Sequence, residues 1–245
     1  MSGAFAVLGA LMTTIHLYMG ARYGTRRHYV SAMTTFVYTL METLQYYQHA
    51  SLDKCDDKTN IALSKMAYIL VAIQILVWQI NWYFNSTENK TVFLCTGTLA
   101  LVTTGFMLLR LLLAHFREKS TGSGSGSGKM TAESNNRGRF CTVSGSSHLA
   151  WQFDLPQFLG FEPNWFSYMV LWFVPLIFFR PIPDALSIFF SFAAGILGSL
   201  ATLYYRKRKE ETFREVIEQF ASTWCLMSIP FLFLSLSITL ATKNF

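Results

Sequence analysis

Glu42, Gln45 and Tyr46 fall at i, i+3 and i+4 in the segment TLMETLQYYQ, a spacing that puts all three on one face of a helix. Gln74, Trp78 and Asn81 share a face in the same way, and so do Glu218, Ser222 and Cys225. Each set sits inside a long apolar run, as do His16 and Arg110. A carboxyl or amide withdrawn into a bilayer costs at least a few kcal/mol and marks ligand, ion or proton sites when it faces other helices. The chemistry expected is therefore a polar pocket, with Glu42 as its deep carboxylate and Gln45, Gln74, Asn81, Glu218 and Ser222 around it. The competing reading is interhelical hydrogen bonding that holds the helices together, worth about 1 kcal/mol per contact.

Motifs for covalent or metal chemistry are missing. The last apolar run has no lysine for a Schiff base. There is no HExxH or HxxxH to hold zinc, no CxxC, no GxSxG nucleophile elbow and no phosphate-binding loop of the Walker type. Ser146, Ser147, His148 and Asp154 are adjacent in sequence, which is not triad geometry. The sequence predicts no catalytic residues, no metal and no cofactor, and it leans away from an enzyme.

The elements that must carry the polar residues are apolar helices. Hydrophobic residues make up 52% of the 245 residues and charged residues only 14%, below the roughly 25% of soluble chains. About 20 apolar residues cross a bilayer as a helix. Seven runs qualify, near 4–20, 29–48, 61–84, 92–115, 165–181, 184–205 and 215–241. The fold class expected is all-α, a single membrane domain of about seven transmembrane helices. The long connection after the fourth begins with a Gly/Ser-rich stretch, 117–139, read as a flexible linker. Residues 140–163 are aromatic and apolar, and we expect an ordered interfacial loop that packs on the end of the bundle.

The formal net charge of +6 fits helix ends facing anionic headgroups better than it fits nucleic acid, for which no recognition motif is present. Lysine and arginine counted over the whole chain favour a cytoplasmic N-terminus and an exterior or luminal C-terminus. Cys55 and Cys141 lie in loops on the same side, either as free thiols or as a disulfide; a disulfide requires an oxidising compartment and reverses that orientation. Two sequons, at Asn85 and Asn89, lie in the short turn between the third and fourth runs.

Three stretches, TLMETLQYYQHASLDKCDDKTN (39–60), FCTVSGSSHLAWQFDLP (140–156) and EQFASTWCLMSI (218–229), resemble a family of multi-pass membrane proteins of unknown function found in bacteria, eukaryotes and large DNA viruses. The resemblance is carried by Met41, Glu42, Gln45, Cys55, Asn60, Cys141, His148, Trp151, Glu218, Trp224, Cys225, Ser228 and Ile229. It implies a seven-helix fold and adds His148 and Trp151 to the site residues. Leu70 stands where that family tends to carry a histidine.

Together these readings point to an ion- or small-molecule-handling membrane protein, a transporter, channel or sensor. Its partners would be the lipid bilayer and, where it assembles, membrane-protein subunits or further copies of itself, with no nucleic acid. The alternatives are a structural or accessory subunit of a larger membrane complex and, last, an intramembrane lipid-modifying enzyme.

Overall fold

The computed structural model describes residues 2–121, 140–145, 148–153, 155, 170–180, 189, 193, 196–201, 204–205 and 222–223. The described part is mostly helical: α1 (Ser2–Tyr23), α2 (Arg26–Gln48), α3 (Lys58–Asn85) and α4 (Lys90–Thr121). A 3-10 turn, His49–Ser51, follows α2, and another spans Val174–Phe178. Between them lie two short strands, β1 (Phe140–Ser144) and β2 (Leu149–Phe153).

Three of these helices are long and apolar enough to cross a membrane: Ser2–Tyr23, Lys58–Asn85 and Lys90–Phe116. The helix α2 is as long but is not among them. It carries Thr34, Thr35, Thr39, Glu42, Gln45 and Gln48, all buried, so its polarity is turned inward rather than toward lipid. This departs from the expectation for 29–48, which took the run as apolar enough to qualify by length.

Successive helices pack antiparallel in a fixed register. On α1 and α2, Gly3 lies under the ring of Tyr46, Gly20 under that of Tyr29, and the Thr13 and Thr35 hydroxyls meet at 3.0 Å. A Cβ on Gly20 would stand 3.0 Å from the Tyr29 ring, so the hydrogen side chain is what permits the close approach. On α2 and α3, Asn81 Nδ2 donates to Thr34 Oγ1 at 2.9 Å and Trp78 Nε1 to Tyr38 Oη at 3.1 Å. On α3 and α4, Thr104 Oγ1 donates to Ala72 O at 2.8 Å and Thr96 Oγ1 to Gln79 Oε1 at 2.7 Å. Gln79 also donates to Leu171 O, 2.7 Å away, where Trp172 joins Trp78 and Trp82 in an aromatic cluster.

The sheet corrects the all-α expectation. Within the stretch expected to be an ordered loop, residues 140–144 and 149–153 pair as an antiparallel hairpin with Thr142 opposite Trp151. FCTVS and LAWQF are rich in aromatic and β-branched residues, and Gly145 N donates to His148 O at 2.8 Å where the two strands come together. Within the stretch read as a linker from 117, α4 continues to Thr121. Within the expected helix 165–181, the helical residues 170–173 tighten into the 3-10 turn at Pro175, and Phe179 is already extended, because proline offers no N–H to continue an α-helix. The runs 184–205 and 215–241 lie outside the described residues except for the few helical positions noted, so the described residues carry three membrane-length helices rather than seven.

Candidate functional site

The hairpin is fastened to the α2–α3 connection, and this end of the helices gathers most of the polar residues singled out by sequence. The fastening is centred on Asn60, fully buried in the first turns of α3. Its Nδ2 donates to Ser51 O at 2.6 Å and to Thr142 O at 2.8 Å, while its Oδ1 accepts from Thr142 N at 2.8 Å. The side-chain amide thus stands where a neighbouring strand's peptide group would, and it satisfies the outer edge of β1. The Thr142 hydroxyl lies 2.6 Å from Ser64 Oγ and accepts from Gln48 Nε2 at 2.9 Å. Gln48 Oε1 in turn accepts from Trp151 Nε1 at 3.1 Å, which joins β2 to the network.

Two further ties close the same end. Asp53 Oδ1 accepts from Ser144 N at 2.8 Å and its Oδ2 from Ser144 Oγ at 2.6 Å. These bonds from the Ser144 hydroxyl and amide hold the Asp53 carboxyl below its usual value, because they favour the charged form. Cys55 and Cys141 are joined in a disulfide with Cα atoms 5.1 Å apart, 86 residues apart in sequence. That settles the alternative left open above. Closing a loop of that length contributes about 4–5 kcal/mol in the chain-entropy account.

Beneath the hairpin runs a buried polar stripe on α2. Thr34, Tyr38, Glu42 and Gln45 share one face by helical spacing, and all are buried. Thr34 meets Asn81, Tyr38 meets Trp78, and Gln45 Oε1 lies 2.7 Å from His148 Nε2. Glu42 breaks the pattern. It is 0% exposed, and neither its carboxylate oxygens nor the Gln45 Nε2 amide has a hydrogen bond of good geometry among the described residues. The Ser2 hydroxyl on α1 is the nearby polar group that acts on Glu42, without reaching that geometry. Burial, followed by the nearby His49, pulls the His148 imidazole down to about 4, so it is neutral at neutral pH. The two imidazole rings stand 6.0 Å apart.

Of the residues expected at one pocket, Glu42, Gln45, His148 and Trp151 come together at the hairpin end. Ser222 joins them by donating to Leu149 O on β2. Asn81 does not: it pairs with Thr34, eight residues from Glu42 and therefore about 12 Å along α2. Gln74 is buried on α3, and the register that pairs Thr34 with Asn81 and Tyr38 with Trp78 carries on to Glu42 and Gln74, so it stands at the level of Glu42, below the hairpin. Glu218 lies outside the described residues. Sequence reasoning missed Gln48, Asp53, Ser64 and Thr142. Gln48 continues the i+3 spacing from Gln45, and Ser64 follows Asn60 at i+4, so a signal existed for both. Leu70, half-buried, packs against the apolar cluster of Met41, Leu44, Ala67 and Trp151. Among the described residues no group of three or more metal-ligating side chains occurs.

The architecture defines a helical protein with membrane-length helices and a disulfide-bonded hairpin clasped over a buried carboxylate. By sequence, the chain belongs over residues 1–244 to a family of unknown function, DUF5765. No curated protein and no solved structure matches it.

Proposed function

We propose that this chain is a seven-helix integral membrane protein that handles an ion or small molecule, as a transporter, channel or sensor, through the polar site around Glu42. In this reading α2 is a span whose polar stripe faces inward, and the runs 165–181, 184–205 and 215–241 supply the remaining three.

The observation that carries the reading is Glu42 itself. A fully buried carboxyl group whose oxygens make no well-formed hydrogen bond among the described residues, beside an amide in the same position, is costly to keep unless something occupies it in the working cycle. A proton is the simplest occupant, because it needs no cavity. The groups that would set its affinity are Ser2 at the start of α1 and Gln45 on the same helix, with His148 bonded to Gln45 and His49 beside His148. The structural alternative is that Glu42 serves only to balance the positive N-terminal end of α1, which lies beside it.

Flux tests the proposal. Purified protein in liposomes with an imposed pH gradient should move protons or a coupled ion, and Glu42→Gln should abolish that movement while the protein remains folded. Unchanged flux and ligand binding in Glu42→Gln would remove the pocket from the mechanism. A fall in thermal stability alone would favour the structural alternative. The accessory-subunit reading has one observation of its own, the large apolar side chains exposed along α4, among them Leu94, Leu101, Phe106 and Leu112, which suit either lipid or a partner helix.

A further inference from the structure

The two ends of the described helices differ in chemistry. One end carries the hairpin, the Cys55–Cys141 disulfide and, through the Gly3–Tyr46 contact, the beginning of α1. The other carries the α1–α2 turn and the α3–α4 turn. There Arg27 lies close enough to Lys90 for the two charges to act on each other. Arg180 is brought to the same end by two backbone bonds: Thr87 N donates to Arg180 O at 2.9 Å, and Arg180 N donates to Ser86 Oγ at 3.1 Å.

The charges are sorted accordingly. Among the described residues, the turn end holds Arg22, Arg26, Arg27, Lys90 and Arg180 against the single acid Glu88. The hairpin end, which the last turns of α4 also reach, holds Lys54, Lys58, Lys65, Arg110, Arg117 and Lys119 against Asp53, Asp56, Asp57 and Glu118, a net of +2 against +4 at the turn end. Arg22, Arg26, Arg27 and Lys90 are exposed. Basic residues next to the first span dominate orientation, and each one near an anionic leaflet contributes about 1 kcal/mol. A disulfide, meanwhile, forms and persists in an oxidising compartment. The two criteria are physically independent, and here they agree.

We propose that the basic turn end, with Arg22, Arg26, Arg27, Lys90 and Arg180, lies on the cytoplasmic leaflet against anionic phospholipid headgroups, while the disulfide-bonded hairpin end faces an oxidising compartment. The start of α1 is then exterior or luminal, the reverse of what basic residues counted over the whole chain imply. The whole-chain count is weighted by the lysines and arginines of 117–139 and 206–214, far from the first span. The sequons at Asn85 and Asn89 fall on the reducing side and carry no glycan.

The inference rests on the reading that the chain spans a membrane, and one experiment separates the two. In a Cys95→Ser, Cys225→Ser background, Lys58→Cys and Glu88→Cys are made singly and probed with a membrane-impermeant maleimide in sealed, right-side-out vesicles. The expected result is labelling of the Lys58→Cys protein in intact vesicles, and of the Glu88→Cys protein only after permeabilisation. The opposite pattern overturns the orientation and leaves the span intact. Labelling of both in intact vesicles, or of neither before permeabilisation, overturns the spanning reading itself. Two controls bear on the causes. Cys55 and Cys141 should react with maleimide only after reduction, and free thiols there in freshly trapped membranes would overturn the disulfide argument. Replacing Arg22, Arg26 and Arg27 together by Gln should make a fraction of the Glu88→Cys molecules reachable from outside, and no change would overturn the lipid-headgroup argument.

Discussion

Replacing Asn60 by alanine should loosen the hairpin more than any other single polar substitution at this end of the molecule. The Thr142 N–H is the group left without an acceptor, because in the native structure it donates to Asn60 Oδ1. Thr142 is 0% exposed, so stranding that N–H costs about 1–3 kcal/mol. Thr142 O and Ser51 O also lose a donor, but each keeps one, from Asp53 N at 3.2 Å and Lys54 N at 3.3 Å. Those two losses add about 0.5–1.5 kcal/mol each. The total is near 4 kcal/mol, or roughly 8–16 °C in Tm for a chain of this size. Ser64→Ala supplies the internal comparison. It removes two bonds, one to Thr142 Oγ1, which retains Gln48 Nε2 at 2.9 Å, and the one Ser64 Oγ donates to Asn60 Oδ1 at 3.2 Å, which retains Thr142 N, so about 1–2 kcal/mol is expected. Thermal unfolding in detergent gives the ranking, and hydrogen exchange at the Thr142 amide locates it. If Asn60→Ala shifts Tm no more than Ser64→Ala does, or leaves the Thr142 amide protected, Asn60 does not serve as the surrogate strand and the account of the hairpin's attachment is wrong.

Three further outcomes follow from the same end of the molecule. Cys55→Ser should lower stability by about 4–5 kcal/mol, the loop-closure contribution of 86 residues, and Cys141→Ser by a similar amount, whereas the double variant should cost no more than either alone. Asp53 has its carboxyl held below the ordinary carboxylate value, so its contribution is present above that value and is lost as pH falls through the lowered one. In Asp53→Asn, exchange at the Ser144 amide should become insensitive to pH across that acid range. His148 titrates at about 4 rather than 6.5, so unfolding should become easier as pH falls from about 6.5 to about 4 and level off below it. Unfolding midpoints against pH, compared with His148→Gln, read this directly, and a slope that persists in the variant would assign it to another group.

Much of the helical frame was legible in sequence because hydropathy reports length and lipid exposure. The run near 61–84 became α3 with only its ends extended, where Asp57 caps the helix by accepting from Thr59 N at 2.9 Å. The polarity of α2 was partly visible in Glu42 and Gln45, but its buried threonines, Thr34, Thr35 and Thr39, were not counted against a span. The hairpin was not legible. Its strands are only five residues each, and what holds them is side chains such as Asn60 and Asp53, more than eighty residues away. The site was legible by halves. Helical spacing placed Glu42 and Gln45 together correctly, and the family resemblance brought in His148 and Trp151. Which residues of α3 face them depends on the antiparallel register, which no single-helix pattern encodes. Asn81 therefore went to Thr34 rather than to Glu42.

The distance between Cys55 and Cys141 also has a meaning in time. At about 5–20 residues per second, a ribosome takes roughly 4–17 s to add the 86 residues that separate them. Over that interval α3 and α4 are made ahead of the hairpin, and Gln48, then Asn60 and Ser64, have no Thr142 to bond. Water satisfies such bare amides and hydroxyls, and hydrocarbon does not. In the membrane-spanning reading the newborn α2–α3 turn therefore waits in an aqueous layer, with Cys55 as an unclaimed thiol, until the strand that completes it is delivered.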